Sequence, residues 1–521
     1  MAVLAWVSGS ACAQLNSTAK QSNSATVLQW SFVGTEALAK NKDLAVFNKF
    51  RDLPESTALR NALATNLASM AVSGLQPKGG PNAPAPTGMT EAIAALIQPI
   101  VTDLVQHESR FQMDSAKTNN VDWFLAAKIP EDRSSTWSKS LTQLTAFGGL
   151  KGANNNPSSW QASGTNYDLK FTRSGEWTIL EGGKSVANSK TAEAFREGLK
   201  KRADKSVLSV DLNGALLGKL RRATNLSHVP NLALRAEPRD DGFFSELTVD
   251  YPQDLGIKPE KWNVPEELID EPLLGFTAIQ GIREKLEASE WFKTLGVKKT
   301  PNQLFAWSQK ISPFSISIAA EVPNAAEAVT NSARLLQNAK FPAGQLEFPT
   351  NRTAAIWTGL PIATPFFAAR TNSGKPYLVA GLFTASVRRN PVPKDLFNQL
   401  NQKNLVYYDW EITGERIRQG IPTWHLYYLL GGKFIPDNTA PSMQFLQEVR
   451  GNIGNTVTTG TLESPRRIRL TRQSHLGASA LELLLLAHYI DHADLRPHPG
   501  NAQLKAVPGP GAKSSGAAPQ R

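Results

Sequence analysis

Cysteine is almost missing from this chain. Cys12 is its single thiol among 521 residues. A disulfide needs two, so none can form within the chain, and stability must come from packed cores. Long apolar runs are missing too. The longest, residues 481–487, is interrupted by Glu482 and falls well short of the ~18 residues that span a bilayer. Histidine is scarce, and His107, His228, His425 and His475 stand isolated. The chain carries no G-x-G-x-x-G, no P-loop, no G-x-S-x-G and no H-E-x-x-H, so the common nucleotide, serine-hydrolase and zinc-peptidase signatures are excluded. No dense basic stripe is present. The small clusters at Lys200-Lys201-Arg202, Arg221-Arg222, Arg388-Arg389 and Arg466-Arg467 are scattered, which argues against a nucleic-acid surface.

What is there describes an ordinary globular protein. Hydrophobic residues make up 41% and charged residues 19%, and the length exceeds one core, so two domains are expected. The net charge of +11 favours solubility and a weak attraction to anionic surfaces, with anionic envelope polymers as the expected partner. Residues 2–7 are apolar, and Ala11-Cys12-Ala13 is an A-x-A pattern. Together they predict a signal peptide over 1–13, cut before Gln14, although the basic start is missing and the apolar run is short. The expected location is periplasmic or extracellular.

One stretch echoes another. Residues 121–130 read Val-Asp-Trp-Phe-Leu-Ala-Ala-Lys-Ile-Pro, and residues 313–323 end Ala-Ala-Glu-Val-Pro. Each predicts a strand, an Ala-Ala pair, a charge, a β-branched residue and a proline, then a helix. Trp137, Leu141 and Leu144 lie at helical spacing in one case, and Val329, Ala333 and Leu336 in the other. Hairpin signals follow in the same order in both halves, around 173–176 and 239–242, then around 372–375 and between 459 and 468. The spacing therefore predicts an α+β protein of two tandem, structurally similar units, 25–255 and 265–496, each a mostly antiparallel sheet covered by helices. Residues 76–88, rich in proline and glycine, predict a flexible insertion, and 497–521 a disordered tail.

Three groups of residues can carry chemistry. His488 and His492 share one helix face, near Asp494 and His498, and such a set can hold zinc. A fraying C-terminal helix explains the same residues, and no metal or other cofactor is expected. Asp211 and Asp409 stand at matching places, each after a strand and before a helical run. Paired carboxylates can do acid–base work, but that position is also the one favoured for helix N-caps, and capping is the expectation. Tyr407, Tyr408, Trp410, Trp424, Tyr427 and Tyr428 form an aromatic group. Tyr408, Trp410, Trp424 and Tyr427 are the candidates for lining an apolar or sugar pocket, and core packing is the plainer explanation.

Asn404 through Arg416, Ser474-His475-Leu476-Gly477 and Ala480-Leu481-Glu482 resemble segments of a group of secreted bacterial proteins with long, duplicated α+β domains of unknown function. The resemblance implies export and duplication, and no activity or catalytic residue. The expectation is therefore an exported envelope protein that binds or scaffolds, with no specific activity assigned. A carrier of an apolar or lipid ligand held between sheet and helices is the alternative, and an unrecognised hydrolase the third.

Overall fold

The computed structural model describes residues 26–75, 88–115, 121–154, 156–164, 167–183, 190–200, 205–220, 229–269, 272–309, 315–338, 344–348, 353–359, 364–383, 395–430 and 439–491. The expected signal peptide, the insertion up to residue 87, and the tail lie outside the described residues.

Strands and helices follow one another along the whole chain. The strands are β1 (Thr26–Phe32), β2 (Ser109–Ser115), β3 (Val121–Lys128), β4 (Ser159–Ser163), β5 (Asp168–Ser174), β6 (Trp177–Gly183), β7 (Leu208–Leu212), β8 (Asn231–Arg239) and β9 (Gly242–Asp250). They continue with β10 (Leu273–Gln280), β11 (Gln303–Gln309), β12 (Ile316–Glu321), β13 (Gln345–Glu347), β14 (Ala354–Thr358), β15 (Phe366–Asn372), β16 (Lys375–Gly381), β17 (Leu405–Ile412), β18 (Asn455–Ser464) and β19 (Arg467–Ser474). The longer helices are α1 (Pro54–Leu75), α2 (Met89–Gln106), α3 (Glu131–Phe147), α4 (Lys190–Leu199), α5 (Ala325–Asn338), α6 (Thr413–Leu430), α7 (Pro441–Val449) and α8 (Ala480–Asp491).

Every strand pair is antiparallel. Across the sheet the order is β4-β5-β6-β3-β2-β1-β7-β8-β9-β19-β18-β17-β10-β11-β12-β16-β15-β14-β13. The protein is thus a mixed helix-and-strand fold built on one large antiparallel sheet. The sheets expected for the two halves are joined into one. The 19 strands are continuous through the β9–β19 ladder, where Arg467 pairs with Asp250 at 2.7 Å and Arg469 with Glu246 at 3.5 Å.

The Ala-Ala pairs explain how helices cover both faces. Successive strand residues point to opposite sides. In β3, Ala126 joins the cluster of Phe124, Ile179 and Phe195 under α4, while Ala127 joins Trp137, Leu141 and Phe171 under α3. In β12, Ala319 belongs to the cluster around Phe276, Phe305, Tyr377 and Tyr408, and Ala320 packs with Val322, Ala325 and Ala328 at α5. A small residue on each side lets a helix or a ring approach both faces of the same strand.

The turns follow their residue types. β8 and β9 are joined through Asp240 (φ 51°) and Asp241 (φ 60°), and β15 and β16 through Ser373 (φ 47°) and Gly374 (φ 79°). Left-handed conformation at both central positions matches the right-handed twist of the flanking strands.

Candidate functional site

One face of the middle strands is leucine-rich. On this face β7 places Leu208, Val210 and Leu212, β8 places Leu232, Leu234 and Ala236, and β9 places Phe243, Ser245 and Leu247. β19 adds Leu470 and Arg472, β18 adds Thr458, and β1 adds Leu28 and Phe32. Opposite them stands α8, with Glu482, Leu485, Leu486 and Tyr489 spaced along one flank. Between sheet and helix lies a cavity of about 630 Å³. Its walls are mostly apolar; Thr458, Arg472 and Glu482 form one polar group, and Ser245, His488 and Tyr489 also line it. Leu232, Leu234, Leu247 and Leu470 are only half-buried, an unusual state for a leucine row in the middle of a sheet.

The polar group is held together tightly. Arg472 donates Nη2 to Glu482 Oε1 at 3.0 Å and Nη1 to Glu482 Oε2. Its Nε donates to Thr458 Oγ1 at 3.0 Å, and Nη1 also reaches the Gly477 carbonyl at 3.4 Å. Ser479 and Glu482 form a capping box at the start of α8, since Ser479 N donates to Glu482 Oε2 at 2.8 Å and Glu482 N to Ser479 Oγ at 3.4 Å. Glu411 in β17 adds a second carboxylate, accepting from Ala480 N at 2.7 Å. Two acids at a helix N-terminus complement its dipole, and they fix where α8 begins.

Beyond the polar group, the same face of β17 carries Tyr407, Asp409 and Glu411. Asp409 accepts from Thr277 Oγ1 at 2.6 Å across the β10–β17 ladder. Arg416 Nε stands 4.0 Å from Glu411 Oε2, lying against Gly275, where a β-carbon would meet Arg416 Cδ at 3.4 Å. Burial raises the Asp409 carboxyl above its ordinary range, opposed by the Thr277 hydroxyl and by Arg416 and Arg472. Burial, with Asp409 nearby, pushes Glu411 up to about 7, opposed by the Ala480 amide and Arg416. A proton can therefore be exchanged here near neutrality, but both carboxylates are engaged by the fold.

These positions correct the capping expectation. Asp211 and Asp409 are strand residues, not N-caps. Asp211 pairs with Arg235 at 2.8 Å and accepts from Gln29 Nε2 at 2.8 Å. The cap before the Gly214–Leu220 helix is Asn213, whose Oδ1 accepts from Leu216 N at 3.1 Å. Nor do the two aspartates match. Asp211 lies between Val210 and Leu212, which face the cavity, so it points to the other side of the sheet, whereas Asp409 points to the cavity side. A one-residue offset reverses the face of a strand side chain.

The aromatic candidates divide. Tyr408 and Trp410 face away from the cavity into the Phe276–Phe305 core, and the Tyr408 hydroxyl donates to the Leu396 carbonyl at 3.1 Å. Trp424 and Tyr427 lie on α6, and their side chains are outside the described residues. His488 lines the cavity, and His492 is outside the described residues. Among the described residues no group of three or more His, Cys, Asp or Glu side chains is placed to hold a metal, and no helix is long and apolar enough to cross a membrane. The leucines that build the cavity were not singled out from the sequence. The Ser479-to-Glu482 spacing was a legible sign of where the covering helix starts.

No protein-family model matches the chain, and no curated protein matches it. Two solved structures, crystal forms IV and III of TP0453, are distantly similar. At 10% identity they cover 44% and 46% of this chain and 77% and 80% of their own, with TM-scores of 0.24 and 0.22. Scores this low carry no argument about fold or function.

Proposed function

We propose that the protein is a carrier that holds an apolar ligand between the leucine-rich sheet face and α8. The observation behind this reading is the cavity of about 630 Å³, mostly apolar, with one polar group formed by Thr458, Arg472 and Glu482. Its size falls within the ~300–1,000 Å³ typical of small-molecule sites. Half-buried leucines gain about 25 cal/mol per Å² when an apolar ligand covers them. This narrows the general expectation of binding or scaffolding to a ligand class. Export is kept as part of the proposal on the strength of residues 1–13.

The reading includes duplication. In the first half β1 pairs with β2 and β7, β3 with β2 and β6, and β8 with β7 and β9. In the second, β10 pairs with β11 and β17, β12 with β11 and β16, and β18 with β17 and β19. The recurrence supports one pairing scheme used twice, with the β9–β19 ladder as the join.

Native mass spectrometry of gently purified protein tests the carrier reading. An added mass that organic solvent extracts is the expected result. Protein that arrives empty, and that does not enhance the fluorescence of N-phenylnaphthylamine, would remove it.

A further inference from the structure

We infer that the ligand is a chain-like lipid whose polar end is uncharged and carries a hydroxyl, as in a long-chain alcohol or an acylglycerol, rather than a fatty acid, a phospholipid or an amine. The inference rests on the carrier reading and deepens it.

A ligand head at the polar group would meet charges that are already paired. Arg472 and Glu482 both line the cavity, and each is already engaged with the other. A guanidinium has five N–H donors. Four of those on Arg472 are taken, by Thr458, by Gly477 and twice by Glu482. Both oxygens of Glu482 are also taken, with Ser479 N sharing one of them. Without displacing Glu482, a carboxylate or phosphate can take only the one remaining Arg472 N–H and stands against the Glu482 carboxylate; to gain a paired contact it must displace Glu482. That leaves a carboxylate without its partner in a poorly solvated place, where an unpaired charge is costly. An ammonium meets the converse problem and would stand beside Arg472. A hydroxyl needs neither displacement. It can accept the remaining Arg472 N–H and donate to an oxygen that keeps its present partners, because carboxylate and hydroxyl oxygens accept more than one hydrogen bond.

An incoming cation lacks an open acid at the cavity wall, because Glu411 faces the start of α8 and Asp409 faces Thr277.

Displacement of N-phenylnaphthylamine from the full chain by decanol, decanoate and decylammonium at neutral pH tests this. Decanol is expected to displace the probe at concentrations about tenfold or more below either charged ligand. Decanoate or decylammonium matching decanol would overturn the inference while leaving the carrier reading intact. A probe that does not bind at all would overturn both. Glu482→Gln supplies a second measure, since glutamine keeps the capping box and frees Arg472. Decanoate should then gain about tenfold relative to decanol, and an unchanged ranking would count against the paired-charge argument. If that variant fails to fold, the wild-type series still decides.

Discussion

The two ends of one sheet face differ in polarity while sharing a pairing scheme. Toward the cavity β7 presents Leu208, Val210 and Leu212, and β17 presents Tyr407, Asp409 and Glu411. β8 presents Leu232, Leu234 and Ala236, and β18 presents Thr456, Thr458 and Gly460. The difference decides what can lie on top. A polar face must be given partners before it can be buried, and here they are named groups: the Thr277 hydroxyl, the Ala480 amide, Arg416 and Arg472. An apolar face needs only to be shielded from water, and it is indifferent to whether protein or ligand does so. The helix anchored on the polar part can therefore extend over the apolar part without filling it.

The strongest way to break that comparison is to write the polar residue into the apolar half. Val210 stands in β7 where Asp409 stands in β17, the middle of three residues on the cavity face, and it is 6% exposed. Val210→Asp places a carboxylate among Leu208, Leu212 and Leu234 without a cation or hydroxyl opposite. The expected loss is about 3 kcal/mol or more, together with loss of probe binding, read by chemical denaturation and by fluorescence. A variant as stable as wild type with binding intact would mean that the face is not dry.

The next effect belongs to the polar half and concerns pH. Glu411 is raised from 4.5 to about 7, chiefly by burial. The folded state therefore binds the proton more tightly than the unfolded chain. Its contribution to stability is fully present below the unfolded value and is lost as pH rises through the folded one. Across that window the loss amounts to about 3 kcal/mol. Asp409, also raised by burial, acts with the same sign. Denaturation midpoints should fall between about pH 5 and about pH 8. Glu411→Gln should flatten the fall, because the amide oxygen can still accept from Ala480 N. Wild-type stability that climbs over this range, with no change in the variant, would count against the buried carboxylate.

Much of the local structure could be read from the residues, and the site could not. The β8–β9 and β15–β16 hairpins lie where Asp-Asp-Gly and Asn-Ser-Gly-Lys place them. Pro54 opens α1, and the β3 and β12 strands match their Ala-Ala signatures. β2 has only a weak signal, because its alternation is limited to Phe111 and Met113 between polar residues, and its neighbours β1 and β3 supply the ladder. β13 and β14 are too short to signal themselves. The leucines of β7, β8 and β9 looked like ordinary core residues. What makes them a site is that α8, far along the chain, stands off from them, and that is a tertiary fact. The aspartates sit inside strands that run on past them, Asp211 to Leu212 and Asp409 to Ile412, and no local signal marks where either strand ends.

The opposite faces of the two aspartates have a small but decisive consequence. Asp211 and Asp409 were expected to behave alike. On opposite faces they should not. Asp211 is about a third exposed and shares both oxygens with Arg235 Nη2, at 2.8 and 2.9 Å. Asp211→Asn removes a partly exposed ion pair, so the expected loss is about 0.5 kcal/mol. It should shrink as salt is added, because screening already weakens such a pair. Asp409 is disfavoured as an anion by its burial, with the Thr277 hydroxyl as its direct hydrogen bond. An asparagine carbonyl can accept from that hydroxyl equally well, and the cost of burying charge disappears. Asp409→Asn should therefore be neutral or stabilising by up to about 1 kcal/mol at neutral pH, with little dependence on salt. The two changes have no shared partner, so they should add in the double variant. Denaturation of both single variants and the double, at low and high salt, gives all the quantities. Equal losses in the two single variants, with equal salt dependence, would mean that the aspartates do share an environment after all, and the one-residue offset between β7 and β17 would have to be withdrawn.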